Sequence, residues 1–399
     1  MISGDRSILV LNGGSSSIKF ALFAVDSSLR TKLSGQIERI GTPDAVFSTQ
    51  GGDHEARATQ RVAVADYAGA IRRLIDWIDQ KDVDGTLIAV GHRIVHGGPN
   101  FHEPQRLTPT LLAELQQLTP LDRQHMPGEI LLAAAFAKRF PQVPQMVCFD
   151  TAFHRYLPSA AQMLPIPRRY HAQGVRRYGF HGLSYEFLMT ELTRIDGAAA
   201  ASGRIILAHL GNGASLAAVA DAMSIDTSMG FTPTAGVPMG TRSGDLDPGL
   251  VEYMARTEKM DAKAFDEMVN FKSGLLGVSE TSADMRDLLS IENEDPRAAE
   301  AVALFCYQIK KNIGAYSAAL GGLDTLVFSG GIGEKSPVVR ERICAGLGFL
   351  GIELDAERNA QNAELISMDD GQVKVRVIRT NEELVIARSV CRLLGISVA

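Results

Sequence analysis

The sequence has little of what marks secreted, membrane-spanning or nucleic-acid-binding proteins. Its four cysteines form no CxxC pair and have no histidine at zinc-finger spacing. No apolar run approaches the roughly 18 residues that span a bilayer, and the stretch at 8–11 is too short for a signal peptide or anchor. Lys and Arg total 40 against 46 Asp and Glu, and the net charge of −6 supplies no broad field for nucleic acid or anionic lipid. We therefore expect a cytoplasmic protein with reduced thiols that binds neither nucleic acid nor membrane.

The rest of the composition is that of a globular protein. Apolar residues make up 45% of the chain and charged residues 22%, so neither disorder nor a fibre is expected. A length of 399 residues suggests two or three domains with a real core. The 38 glycines gather in a few short loops. None of these loops has the GxxxxGK(S/T) pattern of a P-loop, and Gly-Gly-Ile-Gly lacks the full GxGxxG spacing of a dinucleotide fold.

Strand and helix patterns alternate through the first 150 residues. Residues 8–12 and 18–23 are apolar runs separated by a Gly-Gly-Ser-Ser-Ser turn, which predicts a β-hairpin. Residues 36–40, 88–95 and 145–149 predict further strands, and 67–79 predicts a helix from the spacing of its apolar residues. A leucine-lined helix face is expected at 111–118. These patterns indicate an α/β unit.

A second unit begins in the same way. Residues 204–210, the glycine turn 211–213 and the returning strand 215–219 repeat the strand, turn and strand order of the first hairpin, which suggests two like domains. A small-residue connection at 197–203 is expected to join a helix to the first of these strands. Pro296 marks the start of a long helix to about 320. Residues 325–329 predict a strand, followed by a glycine loop at 330–334 and a helix from about 337. A strand, glycine loop and helix in succession are weak evidence for nucleotide binding, because glycine lets backbone N–H groups approach an anion.

Several loops carry candidate chemistry, each with an ordinary structural alternative. The hairpin tip with Asn12, residues 15–17 and Lys19 is either a phosphate cradle or a polar turn. Arg93 and Val95 share one strand face, which suits a small carboxylate with a short apolar tail, or an edge-strand salt bridge. Asp150 follows a strand among aromatics, where burial requires a cation or metal beside it.

Four further segments repeat this ambiguity. His181 lies near a helix start, where a structural hydrogen bond is the ordinary reading. Residues 239–249 concentrate Arg242, two aspartates and three glycines, more than a solvated loop usually holds. Residues 284–286 and 380–383 each read alone as helix-capping signals.

Together these motifs closely resemble the acetate kinase family. The shared segments are the 8–20 hairpin, Gly-His-Arg-Ile-Val-His-Gly-Gly at 91–98, Phe-Asp-Thr-Ala-Phe-His at 149–154, Tyr-Gly-Phe-His-Gly at 178–182, His-Leu-Gly-Asn-Gly at 209–213, Met-Gly-Thr-Arg-Ser-Gly-Asp at 239–245, Gly-Gly-Ile-Gly-Glu at 330–334 and Thr-Asn-Glu-Glu at 380–383. The resemblance implies an α/β fold of two related domains, of the acetate and sugar kinase, heat-shock ATPase and actin superfamily, with ATP in the interdomain cleft. We expect domain one to comprise 1–150 with a C-terminal helix at 384–399 returning to it, and domain two to comprise 151–383.

The implied reaction is magnesium-dependent, reversible phosphoryl transfer from ATP to acetate, giving acetyl phosphate and ADP. By resemblance Arg93 binds the acetate carboxylate, His181 and Arg242 hold the transferring phosphoryl group, and Asp150 orients the metal shell or the substrate. The apolar pocket for the acid is assigned to Val95, Phe180 and Pro233, and magnesium to Asn12 and Glu382. The nucleotide is assigned to Lys19, His209, Leu210, Gly211, Asn212, Gly213, Asp284, Met285, Arg286, Gly331, Ile332, Gly333, Glu334 and Lys335. A homodimer is implied by the resemblance alone.

Two positions depart from the family pattern. Gln124 aligns where a leucine of the methyl pocket is expected, and a buried amide requires partners, so this segment is displaced, hydrated or suited to a different acid. Lys335 replaces an asparagine expected to contact adenosine. Propionate kinase is therefore the nearest alternative, since one methylene is worth only about 1–3 kcal/mol of discrimination. A nucleotide-gated, actin-like binding protein is the alternative from another class.

Overall fold

The computed structural model describes residues 6–26, 28–52, 57–81 and 85–398. The chain forms two compact units. Unit 1 comprises Met1–Ala152 and Asn381–Ala399, and unit 2 comprises Phe153–Thr380. Across these described ranges, no helix is both long enough and apolar enough to cross a membrane.

The secondary structure is mixed. The strands are β1 (Ser7–Gly13), β2 (Ile18–Val25), β3 (Leu29–Glu38), β4 (Val46–Gly51), β5 (Ala58–Arg61), β6 (Leu87–Ile94), β7 (Gln105–Arg106), β8 (Gln145–Phe149), β9 (Ile205–Leu210), β10 (Ala214–Ala220), β11 (Met223–Thr227), β12 (Thr325–Ser329) and β13 (Lys374–Val377). The helices are α1 (Tyr67–Asp79), α2 (Pro109–Leu118), α3 (Met126–Arg139), α4 (Ser159–Gln162), α5 (Arg168–Ala172), α6 (Gly182–Asp196), α7 (Ala198–Ala201), α8 (Gly249–Glu258), α9 (Ala262–Phe271), α10 (Gly274–Ser279), α11 (Met285–Ile291), α12 (Pro296–Leu320), α13 (Gly330–Lys335), α14 (Pro337–Cys344), α15 (Ala356–Ala360) and α16 (Glu382–Leu393).

Each unit contains one sheet, and the two sheets share a topology. The order in unit 1 is β5-β4-β3-β2-β1-β6-β8-β7, and in unit 2 it is β11-β10-β9-β12-β13. In both, the first strand of a three-stranded antiparallel meander is extended by two parallel strands. These are β6 and β8 beside β1 in unit 1, and β12 and β13 beside β9 in unit 2. The strand, turn and strand recurrence in the sequence is therefore the visible part of a repeated five-strand pattern, and the α/β expectation is confirmed.

The core of unit 1 forms where the first hairpin meets α1. All seven residues of β1 are buried, as an apolar run without alternation predicts for a central strand. Asp66 caps α1, and its carboxylate accepts the N–H of Gly69 at 2.6 Å. Trp77 of α1 forms an aromatic cluster with Phe20 and Phe47 of the sheet, with ring centroids 5.3–5.9 Å apart. Rings at this separation add to the area burial that holds the helix on the sheet.

In unit 2, α12 is the longest helix and runs from Pro296 to Leu320, as predicted. Asp295 caps its first turn, proline occupies a position where no N–H is needed, and Gly321 ends the helix with a left-handed φ of 70°. The apolar stripe, which includes Phe305 and Ile309, is fully buried. This stripe is core of unit 2, since α12 packs against β9, β10 and neighbouring helices.

Four local predictions differ from the structure. The third strand spans Leu29–Glu38 rather than 36–40, because the half-buried, polar residues in its first part give no apolar pattern that would signal its pairing with β2. Residues 330–335 form the short helix α13 rather than a loop. The connection at 197–203 contains the four-residue helix α7, and the C-terminal helix α16 spans Glu382–Leu393 rather than 384–399.

Candidate active site

In unit 1 the candidate site lies at the carboxyl ends of β1, β6 and β8. Because β6 pairs with β1 on one side and β8 on the other, Arg93 is on an interior strand, not an edge. Its guanidinium donates from Nε and Nη2 to Oδ2 of Asp150 at 3.1 and 2.5 Å. Nη1 donates to the carbonyl of Gly13 at 2.7 Å and to Oε1 of Glu129 at 3.1 Å. The side chain is 13% exposed, so one buried cation is fixed between two buried carboxylates.

Asp150 follows β8, and its N–H donates to the carbonyl of Ile94 at 3.1 Å. Burial raises the pKa of its carboxyl group; Arg93 opposes this effect and Glu382 adds to it. Its Oδ1 is buried and accepts no hydrogen bond from any residue in the described part of the chain. Native proteins rarely leave such an atom unpaired, so Oδ1 is suited to a bound donor or cation.

Asn12 and α16 form the next part of the unit 1 site. Asn12 ends β1, is 7% exposed, and its Nδ2 donates to Glu382 at 2.9 Å and Glu383 at 3.0 Å. Asn381 caps α16 by accepting the N–H of Leu384 at 3.0 Å, which presents both glutamates in the first turn. The structure thus brings together the two residues assigned to magnesium.

This amide and its two carboxylates fit a hard cation. Magnesium prefers oxygen ligands, keeps several waters, and takes only one or two protein ligands besides substrate phosphates. No group of three or more His, Cys, Asp and Glu suited to a metal occurs within the described ranges. The buried, unpaired Oδ1 of Asp150 is a further oxygen in the same unit.

Lys19 lies opposite Asn12 in the β1–β2 register and is exposed. The turn between them is closed by the Gly14 N–H donating to the Ser17 carbonyl at 2.8 Å. Lys19 belongs to unit 1, whereas the other residues assigned to the nucleotide belong to unit 2. The hairpin therefore groups Lys19 with the candidate magnesium residues rather than with the glycine turns.

In unit 2 the site is built around His181, which precedes α6 with a left-handed φ of 57°. A non-glycine residue in this region is strained and persists only when its surroundings hold it. Its Nδ1 hydrogen-bonds Oγ of Ser215 at 2.9 Å, and its ring stacks on His209 with centroids 4.3 Å apart. The Ser215 hydroxyl also contacts the buried hydroxyl of Tyr185 at 2.5 Å. These contacts fix the ring that the resemblance assigns to the phosphoryl group.

The backbone before His181 is held by His154. This buried ring bonds Ser224 at 2.7 Å and, through Nε2, the carbonyl of Phe180 at 3.1 Å. Burial lowers the pKa of His154 to about 4, so the ring is neutral and Nε2–H donates. At Gly179, with φ of 74°, a Cβ would lie 2.5 Å from the His154 ring. Glycine is therefore required for the chain to pass this imidazole.

Arg242 lies beside His181. Its Nη1 is 3.3 Å from the carbonyl of Pro233. A Cβ on Gly213 would be 3.3 Å from Nε2 of His181 and 3.6 Å from Nη1 of Arg242. The β9–β10 turn thus approaches both side chains with backbone alone, and Asn212 of the same turn packs on Gly240. The structure brings these predicted residues into one cluster.

The remaining nucleotide candidates surround this turn. A Cβ on Gly211 would lie 3.7 Å from the N–H nitrogen of Gly331, and a Cβ on Gly331 would meet nothing within 4 Å. Open glycine backbone of this kind fits the phosphates or ribose of a nucleotide. Glu334 instead accepts the N–H groups of Gly330 at 3.0 Å and Thr380 at 3.3 Å, and Lys335 is exposed.

Residues 284–286 include a helix cap, a core residue and one exposed side chain that a ligand can reach. Asp284 caps α11 by accepting the N–H of Arg286 at 2.9 Å, and the two side chains also form an ion pair at 2.5 Å. Met285 is 2% exposed and belongs to the core. Arg286 keeps 89% of its side chain exposed and is the member available to a ligand.

The residues assigned to the acid's apolar tail are divided between the units. Val95 lies in unit 1 and is 2% exposed, while Phe180 and Pro233 lie in unit 2 and are buried. Gln124 is half-buried, and its N–H donates to Asp122 at 3.0 Å. Its amide side chain therefore keeps access to water.

Three residues of the site were not predicted: Glu129, Ser215 and Tyr185. Glu129 is in the first turn of α3, where a glutamate reads as an ordinary helix-start charge. Ser215 is an inward position of β10, and Tyr185 is one turn into α6. A polar residue at an otherwise apolar, buried strand position was the available signal for Ser215.

Comparisons with known proteins agree with this geometry. The model of the acetokinase family matches residues 7–388. An acetate kinase of Rhodopseudomonas palustris is 44% identical over 392 residues, covering 97% of this chain and 98% of its own. A propionate kinase of Citrobacter rodentium is 42% identical over 394 residues, covering 98% and 97%.

Solved structures give the same result. The acetate kinase of Porphyromonas gingivalis superposes with a TM-score of 0.87 at 35% identity, covering 98% of this chain and 100% of its own. A propionate kinase of Francisella tularensis superposes with a TM-score of 0.89 at 34% identity, covering 96% and 98%. The buried arginine, the paired acidic residues and the glycine turns thus occur in a chain that belongs to the acetokinase family.

Proposed function

We propose that this protein transfers the γ-phosphoryl group of ATP reversibly to acetate, giving acetyl phosphate and ADP. The observation that carries the proposal is the buried Arg93 guanidinium, held by Asp150 and Glu129 beside the small apolar side chain of Val95. A fixed guanidinium recognises a carboxylate, and an adjacent valine suits a short tail.

The chemistry requires no strong general base. A carboxylate is ionised at neutral pH and can attack the γ-phosphorus directly. The barrier lies in bringing two anions together and in stabilising charge on the equatorial oxygens during in-line transfer. We assign this stabilisation to Arg242 and His181. The backbone of Gly213 lies close to both side chains. Asp150 orients the substrate or the metal shell through its unpaired Oδ1.

We assign nucleotide binding mainly to unit 2, with the residues of the β9–β10 turn, Asp284–Arg286 and Gly331–Lys335. The support is the close approach of Gly211 to Gly331 and the open space above Gly331. Magnesium is assigned to Asn12 and Glu382, where it would neutralise phosphate charge. Lys19 is assigned to the phosphates of the nucleotide.

We further propose two domains, one comprising 1–150 with 384–399 and the other 151–383, and we propose a homodimer. We also propose a cytoplasmic location, because all four cysteines are free and buried.

Propionate phosphorylation is the second candidate. The support is that relatives named propionate kinase are as similar, at 41–42% identity, as several named acetate kinase. Val95 and the half-buried Gln124 do not exclude one additional methylene.

The test is a magnesium-ATP assay that traps acyl phosphate as hydroxamate with formate, acetate, propionate, butyrate and glycolate. A clear acetate maximum supports the proposal, and a propionate maximum moves the substrate while keeping the reaction. ATP hydrolysis that is independent of added acid, with no acyl phosphate from any acid, contradicts it and favours a nucleotide-gated binding protein. Arg93→Ala serves as the control, since loss of the guanidinium should remove acid-dependent turnover.

A further inference from the structure

Glu129 is a buried carboxyl group with two partners in the candidate acid site. It lies in the first turn of α3, and its side chain is 0% exposed. Oε2 accepts the backbone N–H of Val95 at 2.7 Å, and Oε1 accepts Nη1 of Arg93 at 3.1 Å. One carboxyl group therefore holds both the cation assigned to the acid's carboxylate and the backbone of the residue assigned to its tail.

The hydrogen-bonding capacity of Arg93 is almost exhausted. A guanidinium has five N–H donors. Four are used, two by Asp150, one by Gly13 and one by Glu129. A carboxylate that binds in the usual bidentate manner needs two. The substrate must therefore share a donor with a protein acceptor. Of the two acceptors at Nη1, the Gly13 carbonyl cannot change its charge, whereas Glu129 can.

The charges around Arg93 also indicate that Glu129 changes its protonation state when an acid binds. Arg93 is faced by three carboxylates, those of Asp150 after β8, Glu129 on α3 and Glu382 on α16. Glu129 is also faced by Asp122, which is hydrogen-bonded to His125, and by the hydroxyl of Tyr67 on α1. An acid anion that enters with all carboxylates ionised would add a negative charge to an already negative, poorly solvated site.

Burial raises the pKa of Glu129 to about 8, although Arg93 and the Val95 N–H oppose the rise. The group thus changes charge within the range in which the enzyme can be assayed, where aliphatic carboxylic acids are fully ionised. Protonated Glu129 keeps one oxygen to accept the Val95 N–H and gains an O–H donor.

We infer that Glu129 is a positioning residue that takes up one proton from solvent when a carboxylate binds at Arg93, so affinity for the acid falls as Glu129 ionises. The inference rests on the proposed function, since it concerns the acid site of that reaction. No bond other than the O–H bond forms, and the proton comes from water or buffer.

The experiment measures KM and kcat for acetate at saturating magnesium-ATP from pH 6.5 to 9.5. In the wild-type protein KM should rise about tenfold per pH unit above the Glu129 transition, with kcat changing less than KM. Glu129→Gln should keep KM flat and, at pH 9, several-fold below that of the wild type. Glu129→Asp should retain the pH dependence. Asp226→Asn is the matched control, because burial also raises the pKa of Asp226 in unit 2; it should leave the KM profile as in the wild type.

Calorimetric titration of acetate near pH 8, in two buffers of different ionisation enthalpy, measures the proton directly. We expect an uptake of up to about half a proton at this pH in the wild type and none in Glu129→Gln. The inference is overturned if the KM profile is the same in Glu129→Gln and wild type, or if acetate binds without proton uptake. If acid-dependent turnover is still observed in that case, the proposed function stands. Binding with uptake but no acyl phosphate supports the inference and contradicts the function. No binding contradicts both. Should Glu129→Gln not fold, the wild-type proton count decides.

Discussion

The side-chain oxygen of Ser215 hydrogen-bonds both His181 and the buried hydroxyl of Tyr185. Removing that oxygen should therefore affect both the stability of the protein and its kcat. Ser215 and Tyr185 are both 0% exposed. Within the described chain, Ser215 is the hydrogen-bond partner of the tyrosine hydroxyl. Ser215→Ala should therefore lower the free energy of unfolding by about 1–3 kcal/mol, the cost of leaving a buried hydroxyl unpaired. It should also remove the Ser215 bond to Nδ1 of His181, and misplacement of such a group lowers kcat by roughly 10–100-fold.

Tyr185→Phe is the matched control, because it removes the hydroxyl and leaves the Ser215–His181 bond of 2.9 Å in place. We expect kcat within about threefold of wild type. The double variant has neither group to leave unpaired, so it should recover most of the stability lost in Ser215→Ala while kcat stays low. Urea unfolding followed by circular dichroism, hydrogen exchange of β10 and the hydroxamate assay measure these quantities. A Ser215→Ala enzyme with wild-type kcat would refute the positioning of His181, and a double variant as unstable as Ser215→Ala would refute the buried-hydroxyl account.

Three further outcomes are expected. Arg242→Ala should lower kcat by roughly 10²–10³-fold with a much smaller change in KM for ATP, and equal losses in steady-state kinetics would contradict its role in the transition state. Gly91→Ala should destabilise unit 1 by about 1–3 kcal/mol in urea unfolding, because the new Cβ would lie 2.5 Å from Ile386 and 2.9 Å from Val390 on α16; unchanged stability would show that α16 shifts freely. The pKa of folded His154 is about 4, below its ordinary 6.5, so the unfolded chain binds the proton first. The free energy of unfolding should therefore fall by up to about 3 kcal/mol as pH falls from 6.5 to 4. The melting temperature should fall less across that pH range in His154→Gln than in wild type. Equal slopes of melting temperature against pH would contradict a neutral, buried His154.

The sequence predicted the elements with strong periodicity and the residues at strand ends. α1, β8, α12 and β12 were predicted with the observed limits, because their apolar spacing and caps agree. The expectation that a cation accompanies Asp150 rested on the cost of burying a lone carboxylate, and Arg93 is that cation in the structure. The roles of the individual site residues remain predictions.

What the sequence did not predict depends on tertiary contacts. Glycine is a poor helix former, yet 330–335 is helical because Glu334 folds back on the Gly330 N–H and also accepts the Thr380 N–H, 46 positions away. The bond from Glu129 to Val95 spans 34 positions and joins a helix to a strand. No local pattern signals that such a carboxylate points inward.

The aromatic cluster of unit 1 also determines what optical spectroscopy can observe. Trp77 is the single tryptophan of the chain and packs against Phe20 and Phe47, with the ammonium group of Lys81 5.1 Å from its ring centroid. Indole emission therefore reports the environment of unit 1 alone, and unit 2 contributes no tryptophan signal. A denaturation curve recorded by intrinsic fluorescence follows the unit that holds Arg93 and Glu129, and its difference from a curve recorded on the whole peptide backbone isolates the unfolding of the unit that holds His181 and Arg242.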